Sequence, residues 1–369
     1  MGKRSSGPVR YAVVGLGHIA QVAVLPAFAH ARRNSRLAAL VSNDPTKLKT
    51  LSRKYQIRGT FSYADYDACL AQVDAVYISL PNSMHAEYAV RAAAAGVHVL
   101  CEKPMAVTAE ECERMIDACR ENKVKLMIAY RLHFEEINLQ VIDLVRRGRI
   151  GEPKFFNSSF SFAVRPGNIR TKKELGGGSL YDIGVYCINA ARYLFRSEPK
   201  EVMAISVNAG NKALEEIDES TGALLRFEGE RIAAFVTSFN SSDVGSYRIV
   251  GTKGQVRVDP AFEYAEGLGY ELTVHGKTMR KRIGKRDQFA AELLYFSDCV
   301  RKDREPEPSG EEGMQDVRIV QALYESAETG KAVAIPPFDR TKRPTSKQRI
   351  SKPGVRKPEL VHARSGTRD

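Results

Sequence analysis

Between Arg10 and about Ile150 the chain alternates short, continuously apolar runs with amphipathic stretches of helical length, and few folds accept that order. Tyr11–Val14, Leu37–Val41, Ala75–Leu80, Val97–Cys101 and Lys125–Ala129 read as strands, while 20–31, 46–55, 84–95 and 109–122 read as helices. A strand that is apolar on both sides must be covered on both, so the pattern predicts a parallel, doubly wound Rossmann sheet. Beyond Gly148-Arg149-Ile150-Gly151 the period drops to two: Phe156, Ser158, Phe160, Phe162 and Val164 alternate with Phe155, Asn157, Ser159, Ser161 and Ala163. More strands read at 201–207, 220–227, 231–239, 246–250, 255–258 and 270–274, with helices at 180–194, 289–301 and 313–329. This second half predicts an α+β domain with a large, mostly antiparallel, open-faced sheet.

With 369 residues the chain exceeds one hydrophobic core, which predicts two domains. The expected division is a short N-terminal arm at 1–9, a dinucleotide-binding domain at 10–131, an α+β substrate and oligomerisation domain at 132–336, and a tail at 337–369. The helices near 289–329 are candidates to pack back on the first domain. The tail holds ten basic residues against three acids, +7 of the chain's +12, and few apolar groups, which predicts a disordered, solubilising extension. It lacks interleaved aromatics for stacking bases, so nucleic acid is not an expected partner. No apolar run reaches membrane-span length. The six cysteines form no metal or C-x-x-C pattern, and the N-terminus carries no apolar leader; reduced thiols in the cytoplasm and no bound metal are the expectation.

Gly15-Leu16-Gly17-His18-Ile19-Ala20 follows the first strand and opens a helix. There the glycines permit a tight turn and close approach to a pyrophosphate, which free helical N–H groups bind. The second strand ends at Ser42, with Lys47 one turn into the next helix, where an NAD site usually has a carboxylate on the ribose. A hydroxyl and a cation suit the 2′-phosphate of NADP, although Asp44 leaves NAD open. Leu80-Pro81-Asn82-Ser83-Met84-His85 and Cys101-Glu102-Lys103-Pro104 end two further strands at the same face, the latter bringing an ammonium toward a reacting hydroxyl or carbonyl. In the second half, Gly176-Gly177-Gly178 precedes a helix on which Asp182, Tyr186 and Asn189 fall at i, i+4 and i+7, either a solvated face or a cleft wall.

Together the glycine loop, Leu80-Pro81-Asn82-Ser83-Met84-His85, Glu102-Lys103-Pro104 and Gly176-Gly177-Gly178-Ser179-Leu180-Tyr181-Asp182-Ile183-Gly184 resemble the Gfo/Idh/MocA sugar oxidoreductases over residues 10–336. Leu126–Arg131, Asp182–Tyr186 and Gly310–Arg318 look similar to the glucose–fructose oxidoreductase branch in particular. The resemblance implies bound NADP held by Gly15, Gly17, His18, Ile19, Ser42, Lys47, Leu80, Pro81, Asn82, His85, Glu102, Lys103 and Arg131, with Arg10 toward the adenine end. It implies a sugar held by Lys103, Arg131, Asp182 and Tyr186, with Lys103, Asp182 and Tyr186 as the catalytic set. A phenol whose pKa is lowered by an ammonium can take the proton as hydride leaves, so Tyr186 and Lys103 suit acid–base work and Asp182 suits orientation of a hydroxyl. The expected function is hydride transfer between NADP and C1, or another carbinol carbon, of an unphosphorylated sugar. An NAD-dependent inositol or polyol dehydrogenase and a non-catalytic dinucleotide-binding regulator are the alternatives. Self-association through the open sheet face is expected, as a dimer or tetramer.

Overall fold

The computed structural model describes residues 7–340 and 342–367; Thr341, the last two tail residues and most of the expected N-terminal arm lie outside them. Two compact units form. The first takes the described chain up to Arg131, together with Asp287–Met314 and Ser351–Ser365. The second takes Leu132–Arg286, Gln315–Ile350 and the chain end from Gly366.

The first unit is a six-stranded sheet of β1 (Val9–Val14), β2 (Ser35–Val41), β3 (Gly59–Phe61), β4 (Ala75–Ile78), β5 (His98–Cys101) and β6 (Leu126–Ile128). The strand order is β3-β2-β1-β4-β5-β6, parallel throughout, so the direction of winding reverses between β1 and β4. Val13, Val14, Leu40, Val76, Ile78 and Leu100 are fully buried, as strands covered on both faces require. Strand β3 has only three residues, too few for a periodic signal. The covering helices are α1 (Leu25–Ala27, preceded by a π turn at Ala20–Val24), α2 (Pro45–Tyr55), α3 (Tyr66–Leu70), α4 (His85–Ala94) and α5 (Ala109–Glu121). Asp44 caps α2 through the Lys47 amide, and a Thr108/Glu111 capping box opens α5.

In the second unit α6 (Glu136–Arg146) and α7 (Val185–Phe195, preceded by a π turn at Leu180–Gly184) accompany strands β7 (Pro153–Ser161), β8 (Pro199–Val207), β9 (Ser220–Phe227), β10 (Arg231–Ser238), β11 (Val244–Gly251), β12 (Gly254–Val258), β13 (Gly269–Val274) and β14 (Lys277–Arg282). Later in the chain come α8 (Gln288–Arg301), which packs against β1 and β2 in the first unit, α9 (Gly310–Thr329) and the short β15 (Val333–Ala334). The nine strands run β14-β13-β12-β11-β7-β10-β9-β8-β15, antiparallel except for β7 beside β10. Phe156, Ser158 and Phe160 face the core. On the opposite face Phe155, Met203, Ile205, Val207, Leu224, Ile232 and Val236 stand exposed, and the register sets Phe155 beside Ile232 and Leu224 beside Met203.

The tail departs from the disordered extension that its composition predicts. Its cations and backbone groups find specific partners that composition does not register. Within the second unit Arg349 pairs with Glu136 at 3.2 Å, Thr345 and Gln348 cap a 3-10 turn at Ser346–Gln348, and the Arg165 amide donates to Gly366 at 2.8 Å. Within the first unit the Asp287 amide donates to the carbonyl of Lys352 at 3.0 Å.

Candidate active site

The carboxyl ends of β1, β2, β4 and β5 bring Gly15, Ser42, Leu80 and Lys103 to one edge of the first sheet, the edge where open α/β sheets bind ligands. Gly15 sits at φ +89°, and a Cβ there would meet the carbonyl of Ser79 at 2.6 Å. Only glycine lets β1 turn this closely over β4, and the Ser79 hydroxyl then donates to the Gly15 carbonyl at 2.8 Å. At Gly17 a Cβ would meet nothing within 4 Å. The loop thus leaves an open cradle beside helical N–H groups, which fits a dinucleotide pyrophosphate. His18 and Ile19, half-buried, begin the helix, and its π turn lengthens the first turn where backbone N–H groups face the loop.

At the end of β2 the buried Ser42 accepts the Asp44 amide at 3.1 Å and keeps its own proton to donate. Asp44 places Oδ1 on the Lys47 amide at 3.0 Å and Oδ2 on Nδ1 of His362 at 2.9 Å, bonds that hold its pKa below the ordinary range. Lys47 is half-buried on the first turn of α2.

His85 is fully buried, with Nδ1 3.0 Å from the carbonyl of Pro104 and Nε2 3.0 Å from that of Leu80. Both nitrogens are engaged with backbone, and burial holds its pKa below the usual imidazole value. The ring ties the Leu80-Pro81-Asn82 turn to the Lys103-Pro104 turn, which the structure shows with a cis peptide bond. Glu102 likewise turns inward: Oε1 accepts from Tyr77 at 2.8 Å and Oε2 from the Lys103 amide at 3.3 Å. Beneath it lies Glu292 of α8, fully buried, 3.5 Å from the Tyr77 hydroxyl, with Oε1 lacking a hydrogen-bond partner among the described residues. Desolvation first, then repulsion from Glu102, pushes the Glu292 carboxyl well above the ordinary range, and burial raises Glu102 as well, so this acid pair favours the neutral form more than exposed carboxyls do. Arg131, 5% exposed, donates to Gln288 at 2.5 Å, and its positive charge partly opposes the upward shift of both carboxyl groups. Arg10 lies near the amino end of β1 in a bidentate pair with Asp74, remote from the ligand edge, which the carboxyl ends of the strands form.

In the second unit Asp182 accepts from Nε of Arg170 at 2.6 Å, a partner that no motif announces. That cation also lies close to Tyr186 and Tyr264. Tyr186 is half-buried, its ring 5.5 Å from Phe160 and 5.7 Å from Phe262. Asn189 leaves the expected stripe: the π turn at Leu180–Gly184 shifts the helical register and sends it inward, to His133 at 2.8 Å and Asp316 at 3.0 Å. The triple glycine serves chain packing rather than ligand approach. A Cβ on Gly177 would strike the carbonyl of Arg170 at 2.4 Å, and one on Gly178 the hydroxyl of Tyr324.

A dinucleotide edge on a doubly wound sheet, followed by an open-faced α+β unit, defines a class of nicotinamide-dependent oxidoreductases. Two family models match: the oxidoreductase family, NAD-binding Rossmann fold, over residues 9–130, and the GFO/IDH/MocA C-terminal domain over residues 138–257. The chain belongs to the Gfo/Idh/MocA oxidoreductase family. A D-xylose 1-dehydrogenase [NADP(+)] of Haloarcula marismortui is 32% identical over 340 residues, covering 90% of this chain and 94% of its own. The structure of an aldose-aldose oxidoreductase from Caulobacter crescentus, complexed with glycerol, superimposes with TM-score 0.85 at 38% identity, covering 89% of this chain and all of the other. A 3-ketoreductase from Actinomadura kijaniata, in complex with NADP and TDP-benzene, superimposes with TM-score 0.79 at 28% identity, covering 87% of this chain and 98% of the other.

Proposed function

We propose that this protein is an NADP-dependent oxidoreductase that transfers hydride between the nicotinamide and C1, or another carbinol carbon, of an unphosphorylated sugar. The observation that supports it most is the end of β2, where Ser42 offers a hydroxyl and the nearby carboxylate of Asp44 is already bonded on both oxygens. Relatives named as NADP(+)-dependent xylose dehydrogenases point the same way. The cofactor would be held by the Gly15–Ile19 loop, by Ser42 and Lys47, and by the Leu80-Pro81-Asn82 turn; bound, it accepts or returns the hydride. Lys103 supplies the ammonium that favours a developing alkoxide, Tyr186 takes the hydroxyl proton in oxidation and returns it in reduction, and Asp182, fixed by Arg170, receives a sugar hydroxyl. Arg131 contributes through Glu102 and Gln288, and His85 holds two cofactor-edge turns together.

The reading includes self-association of the exposed apolar sheet face, supported by its seven large side chains, and a cytoplasmic setting, supported by six buried thiols. Among the described residues no helix is long and apolar enough to cross a membrane. The test is to denature the purified protein, identify any released nicotinamide, and add a panel of aldoses to native protein while following absorbance of the reduced cofactor. Release of NAD alone, or no turnover with any aldose or polyol, would sink the proposal.

A further inference from the structure

The C-terminal segment reaches the cofactor edge from 340 residues away in sequence. Gln21, 1% exposed on the turn that follows the glycine loop, clasps the backbone of Val361 from both sides. Its Nε2 donates to the Val361 carbonyl at 2.8 Å, and its Oε1 accepts from the Val361 amide at 2.8 Å. The same Nε2 donates to the carbonyl of Leu16, inside the loop, at 2.9 Å. A side-chain amide paired with both backbone groups of one residue in this way fixes the register of the segment, because a slip by one residue would present neither group correctly. The residue so placed is His362, at φ +46°, whose Nδ1 lies 2.9 Å from Oδ2 of Asp44.

This contact bears on charge at the end of β2. A carboxylate there favours the free ribose hydroxyls of NAD and repels a 2′-phosphate dianion. The Asp44 carboxylate has one oxygen on the α2 amide, and His362 covers the other. The imidazole donates Nδ1–H to that oxygen, and 60% of the His362 side chain remains open to solvent, where Nε2, when it also carries a proton, donates to a further anion. We propose that His362 determines cofactor specificity, shielding Asp44 and joining Ser42 and Lys47 in receiving the 2′-phosphate, so that the tail completes the cofactor site in cis. The inference rests on the NADP reading above.

Calorimetric titration of the cofactor-stripped full chain with NADP and, separately, with NAD tests it, with Lys47→Ala run alongside His362→Ala. Loss of a charge-assisted contact from His362→Ala should weaken NADP about tenfold and leave NAD within about twofold. Unchanged affinities, equal loss for both cofactors, or tighter NADP binding in His362→Ala would overturn the inference, the last by showing that the tail competes with the cofactor. If Lys47→Ala weakens NADP selectively while His362→Ala does not, the NADP reading stands and the role of His362 fails. If neither substitution is selective, the NADP reading fails with it. Thermal melting of His362→Ala, expected to match the parent chain, separates a binding effect from unfolding.

Discussion

Two side chains at the candidate site have opposite protonation problems. In the proposed reaction Tyr186 exchanges a proton with substrate, so Tyr186→Phe should bind cofactor normally yet turn over more slowly by a factor on the order of 10² to 10⁴, the usual contribution of general acid–base catalysis. Near-normal turnover would move the role to Lys103. Glu292 is pushed toward its neutral form because it is fully buried beside Glu102. Its folded pKa is raised above the unfolded value of 4.5, so its contribution to stability is complete below that value and is lost as pH rises toward the folded pKa. Over that interval one proton is worth about 1.4 kcal/mol per pH unit at most. Glu292→Gln, which keeps the shape without the titration, should therefore gain stability relative to the parent from about pH 5 upward; denaturant melts across pH 5–9 showing a constant difference would refute the assignment.

The glycine loop separates two demands on one element. Gly15 is needed by the fold: its positive φ and the Ser79 carbonyl at 2.6 Å leave no room for a methyl group. Gly15→Ala should cost about 1–3 kcal/mol of backbone strain, with further loss from the clash, read as a lowered urea midpoint. Gly17 faces open space, so Gly17→Ala should melt like the parent and lose cofactor affinity, because the added methyl intrudes on the cradle. Equal melting of both variants would mean that the two glycines share one role. The π turns before α1 and α7 show why spacing on paper misleads. A helix with an i→i+5 turn, such as the bond from the Val185 amide to the Leu180 carbonyl, no longer aligns residues at i+7 with those at i.

At the level of the whole molecule, the apolar face of the second sheet is the largest unmet demand. Ile205 is 69% exposed and Leu224, across β8 and β9, is 50% exposed. Such a patch on a soluble domain ordinarily marks an interface, and pairing with a second copy is the commonest way to cover it. Light scattering should give a dimeric or tetrameric mass at micromolar concentration, and the double substitution Ile205→Glu and Leu224→Glu should reduce it to the monomer without lowering the secondary-structure content. A monomeric parent chain would defeat the expectation.

Continuous apolar runs and the change of period near residue 151 were enough to read most strands of both sheets, because burial on two faces or on one leaves a mark in the local order of residues; the short β3 and β15 and the wholly exposed β14 carry no such mark. The glycine loop, Ser42 and the Lys103-Pro104 turn were legible for the same reason, each being a short local device at a strand end. Pairings between segments remote in sequence were not: Arg170 on Asp182, Glu292 beneath Glu102, and His362 on Asp44 join residues 12, 190 and 318 positions apart. Nor did composition disclose that a basic tail would be held, since its backbone is fixed by Gln21, Arg165 and Asp287 rather than by apolar periodicity of its own. Local sequence determines which elements form and which strand ends carry chemistry; tertiary structure decides which carboxylates stay charged, which side chains face inward, and which distant residue meets the site, because those outcomes depend on partners that only folding brings within hydrogen-bond reach.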